Sequence, residues 1–236
     1  MLPFAMPLDA RHTRVLSFDC YGTLIDWDRG IRGALAALPS LSGTDLERLV
    51  REREEAELPL LAGRYLAYPA ILAQSLRSAA ARQEREPSHD ELVSFAGTMA
   101  RWPAFPDSGP ALRRLASRFV LAVLSNVESK TLQASVRLFG APFAALITAE
   151  DLRSYKPAPR HWEELLKRLH QPREAVLHVA GSLFHDVNPA RALGFATAWI
   201  NRRDEPIPEG IDPESVFPDL AALTMALLGP EQPDIR

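Results

Sequence analysis

The second part of the chain alternates short apolar runs with segments of helical periodicity, and this alternation limits the fold more than any other feature. The predicted strands are residues 119–124, 145–148, 175–180 and 196–200, and the predicted helices between them are residues 129–140, 160–169 and 185–194. Strands that alternate with helices form a parallel sheet with helices on both faces. An earlier apolar run, residues 15–18, adds a strand. The sequence therefore predicts an α/β fold with a parallel sheet.

A long helical region separates the first predicted strand from the others. Its four helices are predicted at residues 29–38, 44–61, 68–83 and 88–101, and further helices at 108–118 and 218–228. Thr44 with Glu47, and Ser88 with Glu91, have the spacing of capping boxes. We therefore predict a core made of residues 1–26 and 104–236, interrupted by a helical cap subdomain of residues 27–103.

Composition and charge narrow the class of partner. The chain has 236 residues, of which 47% are hydrophobic and 24% charged, so it can bury a sizeable core. A net charge of -3 gives no electrostatic indication of a nucleic acid or an anionic membrane as partner. We therefore expect a small-molecule partner.

The number of cysteines and the search for signal-peptide and membrane-span patterns indicate the cellular compartment in which we expect the protein. The only cysteine, Cys20, excludes a disulfide framework and a cysteine-based metal site, and should point into the core. Residues 1–12 lack the basic start and apolar run of a signal peptide, and no segment has the length of a membrane span. We expect a cytoplasmic protein.

Asp19 follows the first predicted strand, at the strand end where parallel sheets collect their ligands. Gly22 allows a sharp turn that would leave the backbone amides and the Thr23 hydroxyl facing the same space. On these residues alone, an Asp19 that only ties down a loop is an equally good interpretation.

Other polar groups follow the later strands. Ser125 and Asn126 end one strand, Lys156 follows the next, and Asp186 lies in the loop after the third. Right-handed crossovers bring these strand ends to one edge of the sheet. The pattern predicts a crevice that holds two carboxylates, a lysine and a hydroxyl.

Four motifs, in this order and spacing, resemble those of the haloacid dehalogenase superfamily and, within it, the 2-haloacid dehalogenase branch. They are Asp19-x-Tyr21-Gly22-Thr23-Leu24, Leu124-Ser125-Asn126, Tyr155-Lys156-Pro157 and the final Asp186. The resemblance covers nearly the whole chain and implies a Rossmann-like, three-layer core with an inserted cap. It also implies that Asp19 is a covalent nucleophile, that Lys156 keeps it ionised, and that Asp186 activates the water that hydrolyses the ester.

The same resemblance implies the substrate contacts of a short 2-haloacid. Ser125, the Asn126 amide and Thr23 would fix the substrate carboxylate. A cap arginine would assist the halide; the matching position is Arg51, with Arg53 as a rival, although both lie in an alternating charge run typical of a solvated helix. The other expected site residues are Tyr21, Ser182 and His185, of which His185 could equally cap its helix.

Tyr21 and Gly181 favour carbon-halogen cleavage over phosphate chemistry. Phosphatases of the superfamily have a second Asp where this chain has Tyr21, and that Asp protonates the departing alkoxide; a halide needs no proton. They also have a metal-binding acid where this chain has Gly181, and Mg²⁺ requires several hard oxygen ligands. We predict no metal and no cofactor.

Departures from the dehalogenase pattern keep two alternatives open. Trp162 replaces a Tyr of that branch, and Gly181 and Leu183 replace Ser and Asn. The alternatives are a Mg²⁺-dependent phosphatase of the same superfamily and a catalytically idle relative that binds a carboxylate. The resemblance to dehalogenases also implies a homodimer through the cap. His161 is expected to be exposed at a helix start, and His178 has no visible partner.

Overall fold

A single parallel sheet organises the structure. The computed structural model describes residues 11–209 and 213–230. Within them the strands are β1 Val15–Phe18, β2 Val120–Ser125, β3 Ala145–Thr148, β4 Val176–Ala180, β5 Ala196–Ile200 and β6 Val216–Phe217. Their order is β3-β2-β1-β4-β5-β6, and every pair of neighbours is parallel. The predicted α/β, Rossmann-like fold is confirmed.

Helices cover this sheet and fill the insertion between its first two strands. The described α-helices are α1 Trp27–Ala36, α2 Leu46–Ala62, α3 Tyr68–Ala81, α4 His89–Ala96, α5 Ser108–Leu115, α6 Ser129–Val136, α7 Ala149–Leu152, α8 Arg160–Leu169, α9 Asn188–Ala192 and α10 Leu220–Leu228. None in the described ranges is long and apolar enough to cross a membrane.

The strand order places β1 at the centre of the sheet. The chain moves from β1 through β2 to β3, and then returns to the other side of β1 with β4. Such a reversal of strand order leaves a crevice at the carboxyl ends of the strands, because successive crossovers leave in opposite directions. All four residues of β1 are buried. Asp19 therefore begins the loop beside this crevice.

The insertion leaves and re-enters the core at one place. Ile25 forms an antiparallel bridge with Ala104, and the Asp26 amide donates to the Pro103 carbonyl at 2.8 Å. Between these points the described backbone contains helices and turns but no strand. This pairing supports the division at residues 26/27 and 103/104, which stays a prediction. Residues 1–10, which include most of the stretch considered for a signal peptide, lie outside the described residues.

Several local predictions require correction. The capping box of Ser88 and Glu91 is confirmed, but the one of Thr44 and Glu47 is wrong, because the cap of α2 is Asp45, which accepts from the Arg48 amide at 3.0 Å. The predicted helix at residues 185–194 begins instead with a π-helical turn, Leu183–Val187, followed by the short helix α9. The elements α7 and β6 were not predicted, because four and two residues are too short to show a period.

Candidate active site

A cavity of about 850 Å³ lies between the carboxyl ends of the central strands and the helical insertion between β1 and β2. Its lining includes all but one of the residues expected at the site: Asp19, Tyr21, Ser125, Asn126, Lys156, Ser182, His185 and Asp186 from the core, and Arg51 and Arg53 from α2. Thr23 is the exception. The crossovers of the sheet therefore bring the four motifs together, as their order along the chain predicted.

Lys156 is the centre of the site. Its ammonium Nζ donates to Asp19 Oδ1 at 2.9 Å, to Asp186 Oδ1 at 2.5 Å and to the Leu124 carbonyl at 2.9 Å. Only 1% of Lys156 is exposed. Three acceptors satisfy all three N–H groups, so the lysine is fixed in position and two carboxylates share one positive charge.

Although both carboxylates contact Lys156, their pKa values are shifted in opposite directions. Burial raises the pKa of Asp19, and the charge of Asp186 adds to this effect while Lys156 opposes it. Burial also acts on Asp186, but Lys156 and His178 outweigh it and hold the pKa of Asp186 well below its ordinary value. Burial disfavours the charged form of Lys156, yet the two carboxylates raise its pKa. Asp186 and Lys156 therefore stay charged, and Asp19 is the more basic carboxylate.

Thr23 orients Asp19. Its hydroxyl donates to Asp19 Oδ2 at 2.8 Å and accepts from the Gly181 amide at 2.8 Å, and the residue is fully buried. Both oxygens of Asp19 are therefore held by the protein. Because the Thr23 hydroxyl is used in this way and Thr23 does not line the cavity, its contact is with Asp19, where the sequence analysis expected one with the substrate carboxylate.

Gly181 is explained by the close approach of two loops. A Cβ atom at Gly181 would lie 2.7 Å from the carbonyl oxygen of Gly22, which itself has a φ of +90°. No larger residue fits at position 181 without moving the loop that follows Asp19. Arg202 holds the same loop, donating to the Thr23 carbonyl at 2.9 Å and to Asp107 at 3.1 Å.

Ser125 and Asn126 have different roles. The Ser125 hydroxyl lines the cavity, is buried, and has no hydrogen-bond partner in the described structure. A buried hydroxyl without a partner is costly, so this one indicates a ligand. The Asn126 side chain instead accepts from the Lys156 amide at 2.7 Å and donates to the Lys156 carbonyl at 3.1 Å. It holds the lysine loop.

The two cap arginines differ in burial. Arg53 is 1% exposed, pairs with Glu57 at 2.6 Å and lies over the ring of Trp27 at 5.4 Å, while its Nε has no partner in the described chain. Arg51 is exposed. The interpretation of these charges as a solvated helix face holds for Arg51 but not for Arg53. Arg53 is therefore the arginine that the fold fixes at the cavity.

Tyr21, Ser182 and His185 surround the carboxylates. The Tyr21 hydroxyl is hydrogen-bonded to Ser135 Oγ at 2.8 Å, and burial raises its pKa, so it is not an acid available to a leaving group. Ser182 Oγ accepts from the His185 amide at 3.0 Å and caps the π-helical turn. His185 Nδ1 lies 3.2 Å from the Lys156 carbonyl, which only accepts, so this contact requires a proton on Nδ1.

Two histidines differ from their expectations. His161, expected to be exposed, is fully buried 3.3 Å from the Ser125 carbonyl, and burial with the nearby charge of Lys156 lowers its pKa to about 3. His178, for which no partner was visible, hydrogen-bonds Asp186 Oδ1 at 3.1 Å. A histidine inside an otherwise apolar strand was the available signal.

The residues present do not suit a Mg²⁺ ion. The ammonium group of Lys156 lies between Asp19 Oδ1 and Asp186 Oδ1, where a bridging cation would bind. In the described ranges no cluster of three or more His, Cys, Asp or Glu side chains could hold a metal. The expectation of a metal-independent reaction stays a prediction.

Comparisons with known proteins agree with one another. A family model described as haloacid dehalogenase-like hydrolase matches residues 13–194. Haloacetate dehalogenase H-2 of Moraxella sp. (strain B) is 30% identical over 192 residues, which cover 79% of this chain and 85% of that protein. (S)-2-haloacid dehalogenase 2 of Pseudomonas sp. (strain CBS-3) is 28% identical over 80% of this chain and 84% of its own. An L-2-haloacid dehalogenase structure from Xanthobacter autotrophicus has the same fold, with a TM-score of 0.78 at 24% identity over 92% of this chain and 99% of that one.

Proposed function

The chain belongs to the haloacid dehalogenase-like hydrolase family, and from this premise we propose that it cleaves the carbon-halogen bond of short 2-haloacids through an ester on Asp19. The observation that carries the proposal is the buried arrangement in which Lys156 bridges Asp19 and Asp186. Relatives named for action on haloacetate and on 2-haloacids support it.

In the first step an oxygen of Asp19 attacks the carbon that bears the halogen. A carbon-oxygen bond forms, and the carbon-halogen bond breaks with its electron pair leaving on the halide, so no proton is required. Lys156 favours the ionised form of Asp19, and the hydroxyl of Thr23 fixes its second oxygen. Holding nucleophile and substrate in one geometry is itself a large part of such catalysis.

In the second step water attacks the carboxyl carbon of the ester. Asp186 takes one proton from this water as the hydroxide oxygen bonds to the carbon. The bond from that carbon to the alkyl oxygen then breaks, the alkoxide takes the proton, and a 2-hydroxy acid leaves. One proton and one halide are released per turnover. Asp186 is an ionised acceptor that Lys156 holds in place, and its lowered pKa makes it a weak base, so its position at the cavity is what suits it to the role.

Ser125 and Arg53 complete the proposed site. The unpartnered Ser125 hydroxyl would donate to the substrate carboxylate, and the buried Arg53 guanidinium would face the halide. The ring of Tyr21, packed edge-on against Trp102 at a centroid distance of 6.0 Å, gives this part of the cavity an apolar wall. An apolar wall limits the access of water to the nucleophile before the ester has formed.

The direct test is halide release by the purified protein. With chelator present, we expect chloroacetate, bromoacetate or 2-chloropropionate to yield one halide and one 2-hydroxy acid per turnover, because no step uses a metal. Ion chromatography measures both products, with heat-denatured protein as the control. Absence of halide release from every haloacid, or metal-stimulated hydrolysis of a phosphate ester instead, would contradict the proposal.

A second prediction distinguishes the contribution of Arg53 to activity from that of Arg51. Replacing Arg53 with Met should lower kcat/KM for haloacids by roughly 10- to 100-fold, the usual value of a hydrogen bond to a charged group. The matched variant Arg51→Met should change it by less than about threefold, because the Arg51 side chain is exposed. Denaturant titration identifies any loss caused by unfolding. A larger effect at Arg51 than at Arg53 would reverse the assignment.

Three further expectations, which do not concern the reaction itself, belong to the same proposal. They are a cytoplasmic location, the division into core and cap at residues 26/27 and 103/104, and a homodimer through the cap. Sedimentation equilibrium of the purified chain tests the last of these, with a mass of one chain as the result that rejects it.

A further inference from the structure

A buried histidine links the core of the sheet to Asp186. His178 on β4 stands directly opposite Ser17 on β1 in the strand register, so both side chains lie on one face of the sheet. Ser17 Oγ is 2.9 Å from His178 Nδ1, and His178 Nε2 is 3.1 Å from Asp186 Oδ1. Both Ser17 and His178 are fully buried. Central strands of a parallel sheet normally carry apolar residues at such positions.

The charge of Asp186 determines which atom donates in each of these two hydrogen bonds. Because Asp186 is ionised it can only accept, so the proton between the two residues belongs to His178 Nε2. In a neutral imidazole Nδ1 is then the acceptor, and the Ser17 hydroxyl donates to it. The ionised Asp186 therefore selects the tautomer, and the Ser17 hydroxyl, which can donate or accept, holds the ring in the orientation that reaches Asp186.

The hydrogen bond from His178 determines which oxygen of Asp186 is available to accept a proton from water. Lys156 and His178 both bind Oδ1, whereas no described residue makes a hydrogen bond to Oδ2. Asp186 also lines the cavity. The carboxylate is thus clamped through one oxygen from two sides, and its other oxygen is left for a proton from water.

The contact of His178 with Asp186 matters most after the ester has formed. Esterification removes the negative charge of Asp19, so among the described residues Asp186 is then the one ionised carboxylate in contact with Lys156. Without a second donor, the Asp186 carboxylate could rotate about Lys156 during the hydrolytic step. We infer that His178, held by Ser17, is the positioning residue that orients Asp186 for hydrolysis of the ester, an inference that rests on the proposed function.

The test separates the two chemical steps in variants of His178. In His178→Leu the burst of one halide per site should keep its rate within about threefold, whereas hydrolysis of the ester should slow on the order of 10²-fold, the usual effect of misplacing a reacting group by about 1 Å. Rapid quench and intact-mass spectrometry follow both, and the ester should accumulate. His178→Gln, whose amide nitrogen can replace Nε2, should recover most of the hydrolysis rate.

Two more variants keep the outcome decisive. Ser17→Ala keeps the His178 side chain but removes the hydrogen bond that holds its ring, and should slow hydrolysis alone by a smaller factor, so it serves as the test if His178→Leu does not fold. Thr197→Val is the matched control, because Thr197 is the buried neighbour of His178 on β5 and its hydroxyl has no partner in the described structure.

Equal slowing of both steps in the His178 and Ser17 variants, or equal rates for Gln and Leu, would overturn the inference. Failure of the wild-type protein to release halide would instead refute the proposed function. The two failures are therefore distinguishable within one experiment.

Discussion

Asp19→Asn is expected to abolish halide release, with a loss on the order of 10⁴- to 10⁶-fold, because an amide cannot form the ester. The substitution keeps the shape of the side chain, and its amide oxygen can still accept from Lys156, but its NH₂ group faces the Thr23 hydroxyl and can only donate to it. Ion chromatography with each haloacid measures the rate. Retention of more than about 1% of wild-type activity would mean that Asp19 is not the nucleophile.

The same variant should be more stable than the wild-type protein at neutral pH. The pKa of Asp19 is raised in the folded state, above all by burial, so ionisation of this group costs stability. The advantage of Asp19→Asn should be small below about pH 3.8, grow as the pH rises through the raised pKa, and then stay constant.

Asp186→Asn is the matched control for stability. The folded-state pKa of Asp186 is lowered, so its ionised form contributes stability above its ordinary pKa, and this contribution is lost as the pH falls. At neutral pH its replacement should therefore be destabilising. Denaturant titration from pH 3 to pH 8 measures both variants, and equal shifts of the same sign at neutral pH would contradict this account of the charges.

Lys156→Met should have the second large effect, on activity and stability together. It leaves two carboxylates, Asp19 and Asp186, buried without their cation, which typically costs about 3–5 kcal/mol. Activity should fall at least on the order of 10²- to 10³-fold, because Asp19 then favours its protonated form. Equilibrium unfolding in urea and halide release measure the two effects.

A double variant tests whether the shared charge is the cause. Adding Asp19→Asn to Lys156→Met removes one of the two uncompensated carboxylates, so it should recover part of the lost stability but none of the activity. If the double variant is less stable than Lys156→Met alone, the two carboxylates do not compete for the lysine in the way described.

The sequence predicted the parts of the site that the topology determines. Ser125 ends a strand of the parallel sheet, Asp19, Lys156 and Asp186 each follow one, and right-handed crossovers suffice to bring such positions together. Alternation of strands and helices likewise predicted the sheet itself. These conclusions require only the order of the elements and not the exact placement of any side chain.

The contacts that were missed depend on register and close packing. Pairing of His178 with Ser17 requires the strand register between β1 and β4, which no local pattern reveals. The reason for Gly181 is the close approach of its backbone to the carbonyl oxygen of Gly22, a residue that is distant in the sequence. Arg53 was not separated from Arg51 because charged residues on the buried face of α2 give the pattern of a solvated helix.

The most direct measurement of the central claim is a single turnover in H₂¹⁸O with enzyme in excess over a 2-haloacid. If Asp19 attacks carbon and water then attacks the ester carbonyl, the label should enter the carboxylate of Asp19. The peptide that contains residue 19 would gain two mass units, and the 2-hydroxy acid of the first turnover would carry no ¹⁸O. Label in the product with an unchanged peptide would show direct attack by water and would contradict the account.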